Sequence, residues 1–307
     1  MEKVIVVIGP TSVGKTKMGV ALAKKFNGEV ISGDSMQIYK QMDIGTAKVT
    51  EEEKEGIIHH CVDILNPDET YSVHDFQQTV RKKITEITQR GHVPIIVGGT
   101  GLYIKAALYD YQFDEMENDH HAINEKYKDY TNEQLHDHLK SIDEESAKTL
   151  HFNNRRRILR AIEIYETTGK RKSEMLEEQE HICLYDAYFV GLTLPRDILY
   201  ERINKRVDVM MKNGLKEEMD QLYSQGLTRN HQSMKAIGYK EWFDYYDHQI
   251  DLNDVLELIK KHSRQYAKRQ YTWFKNQFDV HWYDVNLENF EQTIEQVTDD
   301  IEKILKV

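Results

Sequence analysis

The sequence predicts an α/β fold, a parallel-sheet core carrying a helical insertion domain, and three observations carry that prediction. Short apolar runs alternate with helix-period stretches through the first hundred residues. A glycine-rich phosphate loop stands between the first run and the first helix. After Tyr109 the pattern turns polar and helix-prone, and one further apolar run, Ala187 to Leu194, then returns and stops at Pro195. Alternation of this kind is what a parallel sheet with crossover helices leaves in a sequence. In chain order the expected strands are Val4 to Ile8, Val30 to Ser32, Val62 to Ile64 and Ile95 to Val97. Lys15 to Phe26 is read as a helix because Met18, Ala21, Leu22 and Phe26 share one side, and Phe76 to Gln89 as a second, ended by Gly91. Gln134 to Leu139, Arg156 to Thr167 and Ser173 to Gln179 are the clearest helices of the insertion. The expected division is 1–112 for the first part of the core, 113–184 for the insertion and 185–307 for the return to the core with basic C-terminal helices.

Composition narrows the class. The 307 residues hold 41 Lys plus Arg against 52 Asp plus Glu, a net charge of −11, with 39% hydrophobic and 30% charged residues. That profile excludes a low-complexity disordered chain, and no apolar run approaches the roughly 20 residues that span a bilayer. The start, MEKVIVVIGP, enters an apolar strand without the basic, apolar and cleavage-site succession of a secretory leader, so a cytoplasmic protein with no membrane partner is expected. Cys61 and Cys183 make neither a disulfide framework nor a zinc site and read as reduced thiols. The pairs His59-His60 and His120-His121 lack metal-ligand spacing to acids or thiols.

Net acidity by itself argues against a nucleic-acid partner, because phosphate backbones attract basic surfaces. Resolved along the chain, it says something else. Asp110 to Leu150 holds twelve acids and four bases, His151 to Met175 seven bases and three acids, and Lys260 to Lys275 six bases and no acid. At 100° per residue Lys261, Arg264, Lys268 and Lys275 fall within about 60° of one another, away from Val255, Ile259, Tyr266 and Trp273. One helix with separate basic and apolar stripes is expected there. A Debye length of about 8 Å hides distant acids from whatever meets the basic stripe.

Gly9-Pro10-Thr11-Ser12-Val13-Gly14-Lys15-Thr16 fits GxxxxGK[ST], with a strand before it and a helix after it, the context that motif requires. The core is therefore expected to be P-loop NTPase-like. The glycines let successive N–H groups and the helix N-terminus face a phosphate chain, as in nucleotide- and ATP-binding loops. Lys15 supplies a point charge, and the Thr16 hydroxyl is placed to ligate a Mg²⁺ that bridges phosphate oxygens. A phosphotransferase would put an acid at the end of a later core strand, yet Pro94 to Thr100 ends in Gly98-Gly99-Thr100, leaving Asp63 as the nearest substitute. Asp34, after the second run, stands where open α/β sheets place ligands.

The blocks GPTSVGKT, SGDSMQIYKQMDIGTAK, VGGTGLYIKA, RRRILRAIEIY, MKAIGYKE and RQYAKRQYTWF together resemble the tRNA dimethylallyltransferase (tRNA isopentenyltransferase) family, over residues 4 to about 283. The resemblance implies transfer of a dimethylallyl group from dimethylallyl pyrophosphate to N6 of adenosine 37 in tRNA, beside the anticodon, with release of pyrophosphate. It implies Asp34 as the base that takes the N6 proton and Thr100 as the residue that positions the adenine. Gly9 to Thr16 would hold the pyrophosphate with help from Arg202 or Arg206, which lie one helical turn apart and leave open which of them makes the contact, and Mg²⁺ would sit on Thr16. Asp34, Ser35, Met36, Gln37 and Thr100, together with Arg156, Arg157, Arg160, Gly238, Lys240, Arg264 and Lys268, match family segments that touch tRNA. A monomer acting on the anticodon stem-loop is expected. A target base in a stacked loop must be extruded to reach a buried carboxylate, which calls for a basic, aromatic-bearing surface. As single residues, Tyr266 and Trp273 read better as core packing. The family's eukaryotic C-terminal zinc finger has no counterpart in these residues. Rival readings are a small-molecule P-loop kinase, an adenylate prenyltransferase and a non-catalytic RNA-binding protein with a relict phosphate loop.

Overall fold

In the computed structural model, residues 1–111, 120–177 and 181–305 are described. Six strands form one all-parallel sheet in the order β3-β2-β4-β1-β5-β6. Along the chain these are β1 (Lys3–Ile8), α1 (Lys15–Lys25), β2 (Gly28–Ser32), α2 (Glu51–Lys54), β3 (His59–His60), α3 (Val73–Gln89), β4 (Val93–Gly98) and α4 (Gly101–Leu108). The insertion holds α5 (His120–Lys126), α6 (Asn132–Ile142), α7 (Glu144–Thr149), α8 (Arg155–Thr168) and α9 (Lys172–Glu177). The core resumes with β5 (Asp186–Thr193), α10 (Arg196–Lys212), α11 (Leu215–Ser224), α12 (Trp242–Tyr246), α13 (Leu252–Gln277), β6 (His281–Asp284) and α14 (Phe290–Leu305).

Burial on both faces explains the continuous apolar runs. Val4, Val6 and Ile8 of β1 join one core with Phe76, Ile84, Ile104 and Trp242, while Ile5 and Val7 join the other with Met18, Leu22, Val297 and Ile301. Three neighbouring strands then set the site. β4 lies between β2 and β1, with Val30↔Ile95 on one side and Ile5↔Ile95 on the other. The loops leaving the C-terminal ends of β2, β4 and β1 therefore emerge side by side. These loops carry Asp34, Thr100 and Lys15.

The expected strand Val62 to Ile64 does not form. The strand is His59–His60, and Cys61 and Asp63 have φ of 61° and 55°, left-handed values that no extended strand accommodates. Asp63, the substitute metal acid, binds the Lys48 ammonium instead, at 2.6 Å. The second helix starts at Val73, three residues earlier than its apolar pattern, because Ser72 and Asp75 form a capping box.

The chain divides into two compact units, Met1–Tyr109 with Cys183–Val307, and Asp110–Ile182. The insertion thus runs from 110 to 182 where 113–184 was expected. Within it Ile123, Leu135, Leu139, Ile158, Leu159 and Ile162 build a separate small core. Arg155 is used internally, donating to the carbonyls of Tyr127 and Tyr130 at 2.6 Å each. Asp114, Glu115, Glu117 and Asp119 of the acidic stretch lie outside the described residues, as do the end of the expected Ser173–Gln179 helix and the side chains of His120 and His121. Among the described residues no helix is long and apolar enough to cross a membrane.

Candidate active site

The cleft over the sheet has two compartments with a shared wall. The first, about 530 Å³, is lined by Gly14, Lys15, Thr16, Arg202, Lys205 and Arg206 among others. The second, about 350 Å³, adds the apolar side chains of Ile203, Val207, Met210, Ile237 and Ile259, with Tyr266. Thr11, Ser12, Lys15, Asp34, Thr46, Ala47, Gly99 and Arg206 line both.

The polar compartment is lined by the phosphate loop and α10 together with Asp34, Gln37, Thr46, Ala47, Glu53 and Val97 to Gly99. Gly14 caps α1 at φ 107°, where a Cβ would also lie 2.8 Å from the Phe290 ring, so only glycine serves there. Val13 faces the core. Lys15 donates to the Pro10 carbonyl at 2.8 Å. Burial, reinforced by the Arg206 charge, lowers its pKa to about 7, with Asp34 opposing. The Ser12 hydroxyl is buried without a hydrogen-bond partner. Arg202 donates through Nε to the Ser12 carbonyl at 3.0 Å and is exposed beyond it. Arg206 is half-buried and reaches both compartments, its pKa lowered chiefly by burial, while Glu53 and Asp34 oppose that. Both arginines thus converge on the loop.

Asp34 is half-buried at the seam, with Oδ1 accepting from the backbone N–H of Met36 at 2.8 Å and of Gln37 at 3.4 Å. Burial raises its pKa, while these N–H donors and the charges of Lys15 and Arg206 pull the other way. Thr100 stands at the N-cap of α4 but makes no side-chain cap bond. Its Oγ1 accepts from the Ser35 N–H at 3.1 Å, and it lies 3.3 Å from the Ser35 hydroxyl, so the hydroxyl serves the Asp34 loop. Gly33 and Gly98 make this approach possible, since a Cβ on Gly98 would sit 2.3 Å from the Gly33 backbone. Gln37 is spent on closing the loop, donating to Thr46 and Ala47 carbonyls at 3.4 and 3.3 Å.

The residues expected to touch tRNA divide between the cleft, α13 and the insertion unit. Gly238 and Lys240 both line the apolar compartment, Gly238 buried with its N–H donating to Glu241 and Lys240 exposed. Arg264 leaves the expected basic stripe to bond Asn204 of α10; Lys268 stays exposed. Tyr266 corrects the core reading. It lines the cleft, its hydroxyl 3.4 Å from the Gly99 carbonyl, and burial with the Asp34 charge pushes its pKa up to about 12. Trp273 does pack inward, against Phe274 and Phe278. In the insertion unit Arg156 and Arg157 are exposed, and Arg160 pairs with Glu163 at 2.8 Å.

Two residues escaped the sequence reading. Gln270 is buried and joins the phosphate loop to Gly99. Glu218 accepts from three successive backbone N–H groups, Asp43 at 2.8 Å, Ile44 at 2.7 Å and Gly45 at 3.0 Å, and from the Tyr239 hydroxyl at 2.6 Å. Neither residue type carries a spacing signal, because the backbone groups they bind lie more than 170 residues away.

A family model described as IPP transferase matches residues 37–277. The chain is similar to the tRNA dimethylallyltransferases of Bacillus cereus (strain AH187) and Bacillus anthracis, each 54% identical over 287 residues, 92% of this chain and 90% and 91% of theirs. Among solved structures it resembles a tRNA Δ(2)-isopentenylpyrophosphate transferase from Staphylococcus epidermidis, 47% identical with TM-score 0.74, covering 99% of both chains. It also resembles a eukaryotic dimethylallyltransferase acting on tRNA, 32% identical with TM-score 0.86, covering 99% of this chain and 79% of that one.

Proposed function

This chain belongs to the IPP transferase family, whose relatives prenylate tRNA, and from that premise we propose how its residues divide the transfer of a dimethylallyl group from dimethylallyl pyrophosphate to N6 of adenosine 37. The observation that carries the reading is the shared wall, where Lys15, Arg206 and Asp34 meet between a cationic compartment and a partly apolar one. The donor's pyrophosphate goes to the first compartment, held by the loop N–H groups, Lys15, Arg202 and Arg206. The extruded adenine goes to the second, among Tyr266 and the apolar side chains of α10 and α13.

At the seam the N6 lone pair forms a bond to C1 of the dimethylallyl group while the C1–O bond breaks, its electron pair leaving with pyrophosphate. Preorganised cations stabilise the charge that develops on the leaving group. The N6 proton passes to Asp34. Its Oδ1 is held by backbone N–H groups, so in this reading Oδ2 takes the proton. Burial makes this carboxylate more basic than an exposed one, while Lys15 and Arg206 favour its ionised form. Thr100 fixes the Asp34 loop through Ser35.

Mg²⁺ fits the polar compartment through Thr16, whose neutral hydroxyl lines it. Among the described residues no three His, Cys, Asp or Glu converge to hold a metal. Such an ion would rest mainly on pyrophosphate oxygens and water, the habit of Mg²⁺ with phosphate substrates, and would supply further charge neutralisation. A cytoplasmic monomer is the working state of this reading.

Incubation of the chain with unmodified tRNA and labelled dimethylallyl pyrophosphate tests the proposal. Label in tRNA at adenosine 37 is the expected result. Label only on free AMP, or phosphate transfer from ATP, overturns it.

A further inference from the structure

We propose that Gln270 is a positioning residue that sets the spacing between the leaving-group half of the site and the nucleophile-activating half. The inference rests on the prenyl-transfer reading above. The loops after β2 and β4 are locked together by backbone, the Gly33 N–H donating to Val97 and the Thr100 N–H to Gly33, so Asp34 and Thr100 form one rigid half. The phosphate loop leaves the sheet after Ile8, the last residue paired with β4, at Gly98. One buried side chain of α13 then spans the gap. Gln270 Oε1 accepts from the Thr11 N–H at 3.0 Å, and its Nε2 donates to the Gly99 carbonyl at 2.9 Å.

The residue type follows from the two partners. One end must accept from an N–H and the other must donate to a C=O, which an amide does and an ionised carboxylate does not. Gly99 is shaped to the same contact, since a Cβ there would lie 2.2 Å from Nε2. In a displacement at carbon the attacking nitrogen and the departing oxygen must lie in line. An error of about 1 Å in the spacing of the two halves costs on the order of 10² in rate without weakening either substrate's binding. Gln270 therefore acts on kcat through geometry.

The test measures kcat and KM for both substrates, with labelled dimethylallyl pyrophosphate and unmodified tRNA, in the wild-type chain, Gln270→Met, Gln270→Glu and Gly99→Ala, each checked for its melting temperature. The expected result for Gln270→Met is a kcat lowered about 10- to 100-fold with both KM values within about threefold. Gly99→Ala, which leaves residue 270 intact, shows the same split. Gln270→Glu adds a signature that a packing role would not produce. A protonated carboxyl accepts from Thr11 through its carbonyl oxygen and donates to Gly99 through its hydroxyl, so the ratio of its kcat to that of wild type rises as pH falls. The charged and titratable groups that line the compartment with Gln270 are Lys15, Asp34, Arg206, Lys235, Lys240, Tyr266 and Arg269. Taking the ratio at each pH sets their common titration aside. An unchanged kcat, a loss confined to KM, or a pH-independent ratio in a folded Gln270→Glu overturns the proposal. Absence of transfer by the wild-type chain would instead sink the reading on which it rests.

Discussion

The two compartments of the cleft are made in opposite ways. The polar one centres on one loop: Thr11, Ser12, Gly14, Lys15 and Thr16 line it together with Arg202, Lys205 and Arg206 of α10, and the ends of β2 and β4 close its floor. The apolar one is assembled from distant segments, with Gly45 to Ala47, Lys235 to Lys240 and the α13 residues Ile259, Ser263, Tyr266, Arg269 and Gln270 each contributing a side. A phosphate chain is recognised by closely spaced N–H groups and point charges, which one loop can hold. A purine needs a broad, flat and partly apolar enclosure, which only several elements together can form. The first side is thus built around a phosphate-binding loop, and the second adds an apolar enclosure rimmed by Lys235, Lys240 and Arg269.

That contrast is open to test, the largest effect first. Asp34→Asn removes the proton acceptor at the seam and is expected to lower kcat by about 10² to 10⁴ while tRNA binding survives; turnover near wild type would break the assignment. Lys15→Ala, on the polar side, is expected to cost about 10² to 10³ in kcat/KM for the pyrophosphate donor and to leave tRNA affinity alone. An equal loss in tRNA binding would show that the two sides are not separable.

The pH profile sharpens the same division. Lys15 is lowered to about 7 in the ligand-free cleft, so its cation is lost as pH rises through that value, and kcat/KM for the donor falls with it. Bound pyrophosphate favours the charged form and raises that pKa, so kcat holds to higher pH. On the acid side both parameters fall as Asp34 takes a proton, above the ordinary carboxylate range because burial raises its pKa. Identical alkaline limbs in kcat and kcat/KM would remove Lys15 as the group responsible.

Across the seam, Glu218→Ala releases the three N–H groups of Asp43 to Gly45 and the Tyr239 hydroxyl. It is expected to destabilise the chain by about 3 kcal/mol and to raise KM for tRNA more than for the donor. Reversing Lys268 to Glu is the mildest change. It should weaken tRNA binding a few-fold and reduce the slope of log K against log salt by about 1, measured by titration at several salt concentrations. An unaltered slope would take the exposed face of α13 out of the tRNA footprint.

Legibility in the sequence followed the same division. Lys15, Thr16 and Asp34 were readable because strand, loop and helix follow one another along the chain and place them locally. Tyr266 was not. Its helical phase sets it with Val255 and Ile259, and only the approach of Gly99 turns that face into a cavity wall. Arg264 counted as a member of the basic stripe until Asn204 claimed it. The Val62 to Ile64 run failed as a strand because left-handed backbone at Cys61 and Asp63 ends β3 early, and an apolar pattern does not record dihedral angles.

The sequence by itself determined the α/β class, the phosphate loop with its lysine and threonine, the carboxylate after the second strand and the segregation of charge behind a net −11. Each of these is set by neighbours in the chain, through periodicity, turn chemistry or composition. Tertiary structure alone decided that β4 lies between β2 and β1, so that three loops open side by side. It also decided that Gln270 and Glu218, each remote in sequence from the backbone groups it binds, hold the parts in register. Strand order and long-range hydrogen bonds come from packing the whole sheet and its helices at once, and that many-body condition leaves no local trace.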